Sequence, residues 1–117
     1  MATFQSGGVD SNWSTPGNWS TGIVPTSAVA AVFDVTSPSC IVDIAGVCAS
    51  LNFTGYINTI TMTNGITASG SVTLVLTMTI AGTGNLAING TSTITSNGKS
   101  WPNSLSLSGG ITHTIAD

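Results

Sequence analysis

Residues 59–98 run TITMTNGITASGSVTLVLTMTIAGTGNLAINGTSTITSNG. Thr, Ile, Val and Leu alternate here with a period of two, the period at which successive side chains of an extended strand face opposite sides. The apolar runs break at Asn64-Gly65, Asn89-Gly90 and Asn97-Gly98, pairs that adopt the positive backbone φ of a tight turn with little steric cost. Nothing recurs at the three-to-four-residue spacing of an amphipathic helix. Outward from this stretch the texture continues. Strand-type runs are read at Val29–Val35, Cys40–Ile44, Val47–Phe53, Ile57–Met62, Val72–Ile80, Leu86–Ile88, Thr91–Thr95, Leu105–Leu107 and Ile111–Ile115. Most are rich in β-branched residues, which suit a pleated, half-buried surface, and the chain is read as all-β.

Such strands are joined as hairpins or wound as a solenoid, and internal spacing separates the two. Thr-x-Thr recurs at Thr59/Thr61, Thr77/Thr79, Thr93/Thr95 and Thr112/Thr114, in steps of 18, 16 and 19 residues. If each Thr pair faces out, Ile60, Met78, Ile94 and His113 are expected to stack inward in one column. Gly82, Gly90 and Gly98 fall eight apart, as corners do when each face holds one short strand and a turn. Units of roughly 20 residues lie at the short end of architectures that bury each face only against neighbouring units. The expected fold is a right-handed parallel β-helix over residues 28–117, with a β-sandwich of Asn-Gly hairpins as the alternative.

Residues 1–27 read differently. The segment GGVDSNWSTPGNWSTGIVP at 7–25 is dense in turn formers and holds Trp13 and Trp19. It is expected to form a loop-rich cap or docking segment, whose indoles either cover the core or present flat faces to a sugar ring. Tyr56 and Trp101 are further candidate stacking groups, for glycan or for assembly. At the other end Asp117 follows a strand signal with nothing to blunt the last rung, and an open strand end invites pairing. An elongated or assembled molecule is the expectation.

With 117 residues the chain suits one domain. Apolar residues make up 41 % and charged residues 4 %, with Lys99 the single basic side chain and a net charge of −3. An ordinary apolar fraction at low net charge argues for folding over disorder. Phosphate backbones are held by Lys and Arg, so nucleic acid is not an expected partner. No run reaches the ~20 apolar residues of a membrane-spanning helix, and the N-terminus lacks the basic start and apolar core of a signal peptide. Colloidal solubility normally rests on charge. A Thr/Ser/Asn surface almost without it points to an assembled protein released by a route other than a signal peptide. Cys40 and Cys48 lie eight apart, a spacing that suits either a disulfide across one turn of chain or two buried thiols in neighbouring strands. The missing export signal weighs toward thiols. No His or second Cys pair accompanies them, so no metal or cofactor is expected.

Catalytic groupings are not found in the sequence. The acids are Asp10, Asp34, Asp43 and Asp117. Alternation that turns Cys40, Val42 and Ile44 inward sets Asp43 outward, and Asp34 falls opposite Phe33 and Val35; both read as solubilising carboxylates rather than a glycosidase pair. His113 lacks the partners of a Ser-His-Asp triad, and Lys99 reads as a surface charge in a turn beside Trp101. The chain is expected not to be an enzyme.

NWSTPGNWSTGIVPT at 12–26, followed by a β run containing Phe33-Asp34, and SNGKSWPNSLSLSGG at 96–110 resemble β-helical repeat proteins of tailed-phage structural and fibre type, and also bacterial surface adhesin repeats. The resemblance covers most of the chain in style and transfers no binding residues. It implies a structural protein of a virus particle, such as a capsid decoration, fibre or spike component. Such a protein is located in the virion, assembles as a homo-oligomer, commonly a trimer, with other virion proteins, and is released by lysis. Two other readings compete. One is a carbohydrate-binding adhesin module, at a bacterial surface or secreted, that sets Trp13, Trp19, Tyr56 or Trp101 against a host glycan. The other is an ice-binding solenoid whose outward Thr ladders order water, for which steps of 18, 16 and 19 are uneven.

Overall fold

The computed structural model describes residues 1–5, 7–102, 105–107 and 113–116, the last four as backbone. The chain winds into a parallel β-solenoid of about four turns. The strands are β1 (Ala2–Thr3), β2 (Ala31–Val32), β3 (Cys40–Ile41), β4 (Gly46–Cys48), β5 (Leu51–Asn52), β6 (Thr59–Met62), β7 (Ile66–Ala68), β8 (Val72–Thr73), β9 (Thr79–Gly82), β10 (Leu86–Ile88), β11 (Ser92–Thr95), β12 (Leu105–Leu107) and β13 (His113–Ala116). They build three faces: a six-stranded sheet β1-β2-β5-β8-β11-β13, a three-stranded sheet β3-β6-β9 and a four-stranded sheet β4-β7-β10-β12. Ladder partners in the first are Ala31, Leu51, Val72 and Ile94, at steps of 20, 21 and 22 residues. In the three-stranded sheet Cys40, Ile60 and Ile80 follow at 20 and 20, and in the four-stranded sheet Gly46, Ile66, Leu86 and Leu105 follow at 20, 20 and 19. Each step is one circuit of chain, so sequence neighbours never pair and every ladder is non-local.

This register redraws the expected column. Ile60 lies beside Ile80, not Met78, and Ile94 lies on a different face, beside Val72 and Ile115. His113 pairs with Ser92. The Thr-x-Thr pairs divide between two faces, Thr59 laddering with Thr79 and Thr93 with Thr114, because one circuit is about 20 residues and their steps are shorter. Two long runs also break at corners. Val47–Phe53 divides into β4 and β5, and Val72–Ile80 into β8 and β9 around a turn closed by the Met78 N–H donating to the Val75 carbonyl at 3.4 Å. Gly82, Gly90 and Gly98 do stand at three successive corners of the path, with Gly82 and Gly98 at φ of +85° and +81°.

Inward side chains form one continuous core. Ala2, Ala31, Leu51, Val72 and Ile94 line the six-stranded sheet; Phe4, Phe33, Phe53 and Leu74 follow two residues on. Cys40 with Ile60, and Cys48 with Ala68 and Ile88, fill the other two faces. Polar corner side chains tie each coil to the one before. Asn58 Nδ2 donates to the Ser37 carbonyl at 2.8 Å, Thr63 Oγ1 to Val42 at 2.9 Å, Asn64 Nδ2 to Asp43 at 2.9 Å, Thr77 Oγ1 to Tyr56 at 2.8 Å and Asn97 Nδ2 to Leu74 at 2.8 Å. These bonds satisfy backbone acceptors at corners where the ladder is interrupted.

Candidate functional site

Residues 1–27 fold across the open end of the first coil. β1 extends the six-stranded sheet, and Asn12 bridges in parallel to Ile41. A short 3-10 turn, Pro16–Asn18, brings Trp19 back beside Phe4. Trp13 and Trp19 meet edge to face with ring centres 4.8 Å apart, Trp19 Nε1 donates to the Trp13 carbonyl at 2.8 Å, and both indoles are buried. The Trp13 ring edge lies over Gly46, where an added Cβ would approach it to 3.1 Å. Buried Asn18 knits the loop by donating to the Asp10 and Asn12 carbonyls at 3.0 Å each. Asp43 accepts from the Ser14 N–H at 3.0 Å and from its hydroxyl, fastening the segment to the corner between the three- and four-stranded sheets.

The candidate stacking groups therefore sit as follows. Trp13, Trp19 and Tyr56 are buried and present no ring face to solvent. Tyr56 lies against Phe33 and Phe53 with its hydroxyl 3.0 Å from the Pro38 and Thr59 carbonyls; burial raises its pKa, with Cys40 a further contributor. Trp101 is half-buried against the core, and its Nε1, like that of Trp13, has no hydrogen-bond partner among the described residues. Cys40 and Cys48 are free thiols on different faces. Burial pushes Cys48 up to about 12, and burial with the Asp43 charge raises Cys40. Asp34 and Asp43 stand at different corners. Asp34 accepts from the Thr36 N–H at 2.8 Å and hydroxyl at 2.6 Å, and that side-chain bond leads in holding its carboxyl below the usual range. The His113 side chain lies outside the described residues.

Two expected inward residues point out. Val35 is 62 % exposed because β2 ends at Val32 and a turn begins at Asp34; Ile44 is exposed because β3 ends at Ile41. Val35 belongs to an edge that sequence reasoning missed. Where the chain leaves the six-stranded sheet, toward β3, β6 and β9 in three coils and past β11 in the fourth, four turns stack. They are closed by N–H donation from Ser37 to Asp34, Tyr56 to Phe53, Met78 to Val75 and Lys99 to Ser96. Val35 lies next to Gly55, and Leu76 next to Gly98, each in van der Waals reach of a Cβ built there. Ile57 follows the second turn at 56 % exposure and Leu76 tips the third at 64 %. The available signal was Gly55 and Asn97-Gly98, turn residues that mark this edge in alternate coils.

Among the described residues no cleft or cavity opens, no group of three metal-ligating side chains gathers, and no helix is long and apolar enough to cross a membrane. No protein-family model matches the chain, and no curated protein or solved structure shows detectable similarity to it.

Proposed function

We propose that the chain is a non-catalytic structural component of a virus particle that acts by assembling with copies of itself and with other particle proteins. The observation that carries this reading is the exterior of the solenoid. Val35, Ile41, Ile44, Val47, Ile57 and Leu76 stand in solvent on a surface whose other side chains are mostly Thr, Ser and Asn, with charge at only 4 % of the chain. Exposed aliphatic strips without charge favour contact with another surface. Parallel rungs held by registered ladders and corner bonds make the body that carries those strips rigid. A sugar-stacking role draws less support, since the Trp13, Trp19 and Tyr56 rings are inside the core.

The test is the native mass of the purified chain by sedimentation, with and without unheated SDS, together with immunogold labelling of virus particles. A homo-oligomer and labelled particles are expected. A strict monomer that labels no particle overturns the reading.

A further inference from the structure

We propose that the edge bearing Asp34, Val35, Ile57, Leu76 and Lys99 is a self-complementary seam on which a second copy of the chain docks antiparallel about a two-fold axis. The inference rests on the assembly reading above and specifies its surface and symmetry.

The four turns of this edge belong to successive coils, so its residues are ordered along the solenoid: Asp34 and Val35 first, Ile57 next, then Leu76, then Lys99. Parallel strands repeat at ~4.8 Å, which sets Asp34 and Lys99 roughly 14 Å apart, three spacings, with the aliphatic side chains between them. An acid thus stands at one end of an apolar strip and the chain's single basic side chain at the other. The remaining described acids lie elsewhere, Asp10 in the N-terminal segment and Asp43 at the next corner. A two-fold axis midway along the strip sets the partner's Lys99 opposite Asp34 and the partner's Leu76 opposite Ile57. Parallel docking would instead set Asp34 against its own copy and Lys99 against its own copy. An isologous interface needs a patch complementary to itself under rotation, and only the antiparallel order meets that condition in both charge and apolarity.

The experiment is sedimentation equilibrium of the full chain and its edge variants, each checked for folding by circular dichroism and thermal melting. Wild type is expected as a dimer. Leu76→Asp and, independently, Ile57→Asp should raise the dissociation constant at least about tenfold, while Thr67→Asp on the four-stranded sheet leaves it unchanged. Asp34→Asn, which retains an acceptor for the turn, and Lys99→Gln should each raise it about two- to fivefold, the range of exposed ion pairs. Orientation is read by oxidative cross-linking of exposed positions. Thr36→Cys mixed with Ser100→Cys should yield the hetero-cross-linked dimer, and Thr36→Cys alone should not. An oligomer untouched by both aspartate variants, a trimer, or cross-linking of Thr36→Cys alone overturns the seam while the assembly reading stands. A wild-type monomer overturns the seam, and one that also labels no particle overturns the assembly reading as well.

Discussion

The first and third coils share one register and close their corners by different means. In the first, Phe33 sits at the centre of an aromatic cluster, with ring centres 5.3 Å from Phe4, 5.0 Å from Phe53, 5.3 Å from Tyr56 and 5.8 Å from Trp19. Its corners carry Ile44, Ala45 and Ala49, and the covering element is a loop fastened by Ser14 to Asp43. The third coil is filled by Leu74, Met78, Leu86 and Ile88, and its corners carry Gly82, Gly84 and Gly90. A Cβ at any of those three would run into the carbonyl of Met62, Asn64 or Ser69 in the preceding coil. At these positions the third coil leaves room for the backbone of the coil before it. The first coil has only the N-terminal segment on that side, so side chains are tolerated at its corners and bulky rings seal the end.

Phe33→Ala should break the aromatic end most severely, at about 3–5 kcal/mol for a buried Phe, read by denaturant unfolding. Gly90→Ala should follow at about 2–3 kcal/mol, the range of overpacking that shifts backbone. The reciprocal Ala45→Gly in the first coil should change stability by less than about 1 kcal/mol. Equal losses for Gly90→Ala and Ala45→Gly would dissolve the distinction between the coils. Asn64→Ala removes one bond between coils and should cost about 1 kcal/mol.

Acid should act mildly, and mainly through turns at the aromatic end. Hydrogen bonds, chiefly from Thr15 to Asp10 and from Thr36 to Asp34, hold both carboxyls below their ordinary value of 3.8. Groups depressed in the folded state add stability that is present above the ordinary value and lost as pH falls through the folded one. The melting temperature should be level from about pH 8 to 5 and decline below about pH 4, with Asp34→Asn reducing the decline. The smallest effect concerns the thiols. Cys40 and Cys48, buried and with raised pKa, should resist iodoacetamide at pH 8 until the chain unfolds, because the thiolate is the reactive form. Labelling in the native state would show that the first coil opens.

Legibility followed the range of the interactions. Strand character at Leu86–Ile88 and Leu105–Leu107 was readable to the residue, because alternation and flanking turn formers are local signals. β1 and β7 escaped notice, and Val47–Phe53 concealed a corner at Ala49-Ser50, because a bend carries no mark of its own when the residues on either side are all strand-prone. The Thr-x-Thr spacing misled for a related reason. Outward Thr suits any face, so recurrence of the pattern does not count circuits. Of the candidate site residues, the aromatics were identifiable as unusual, but whether a ring faces solvent or core depends on what closes over it.

By itself the sequence determined that the chain is all-β, that several of its turns fall at Gly or Asn-Gly, and that its surface is nearly free of charge, since each is a property of residues and their immediate neighbours. Only the tertiary structure decided which residues share a rung, that the Trp13 and Trp19 rings lie inside, and that Val35, Ile57 and Leu76 form one edge. Those depend on the length of a full circuit of chain. A difference of one residue per circuit, as between the 20, 21 and 22 of the six-stranded sheet, is absorbed at the corners and leaves no local trace.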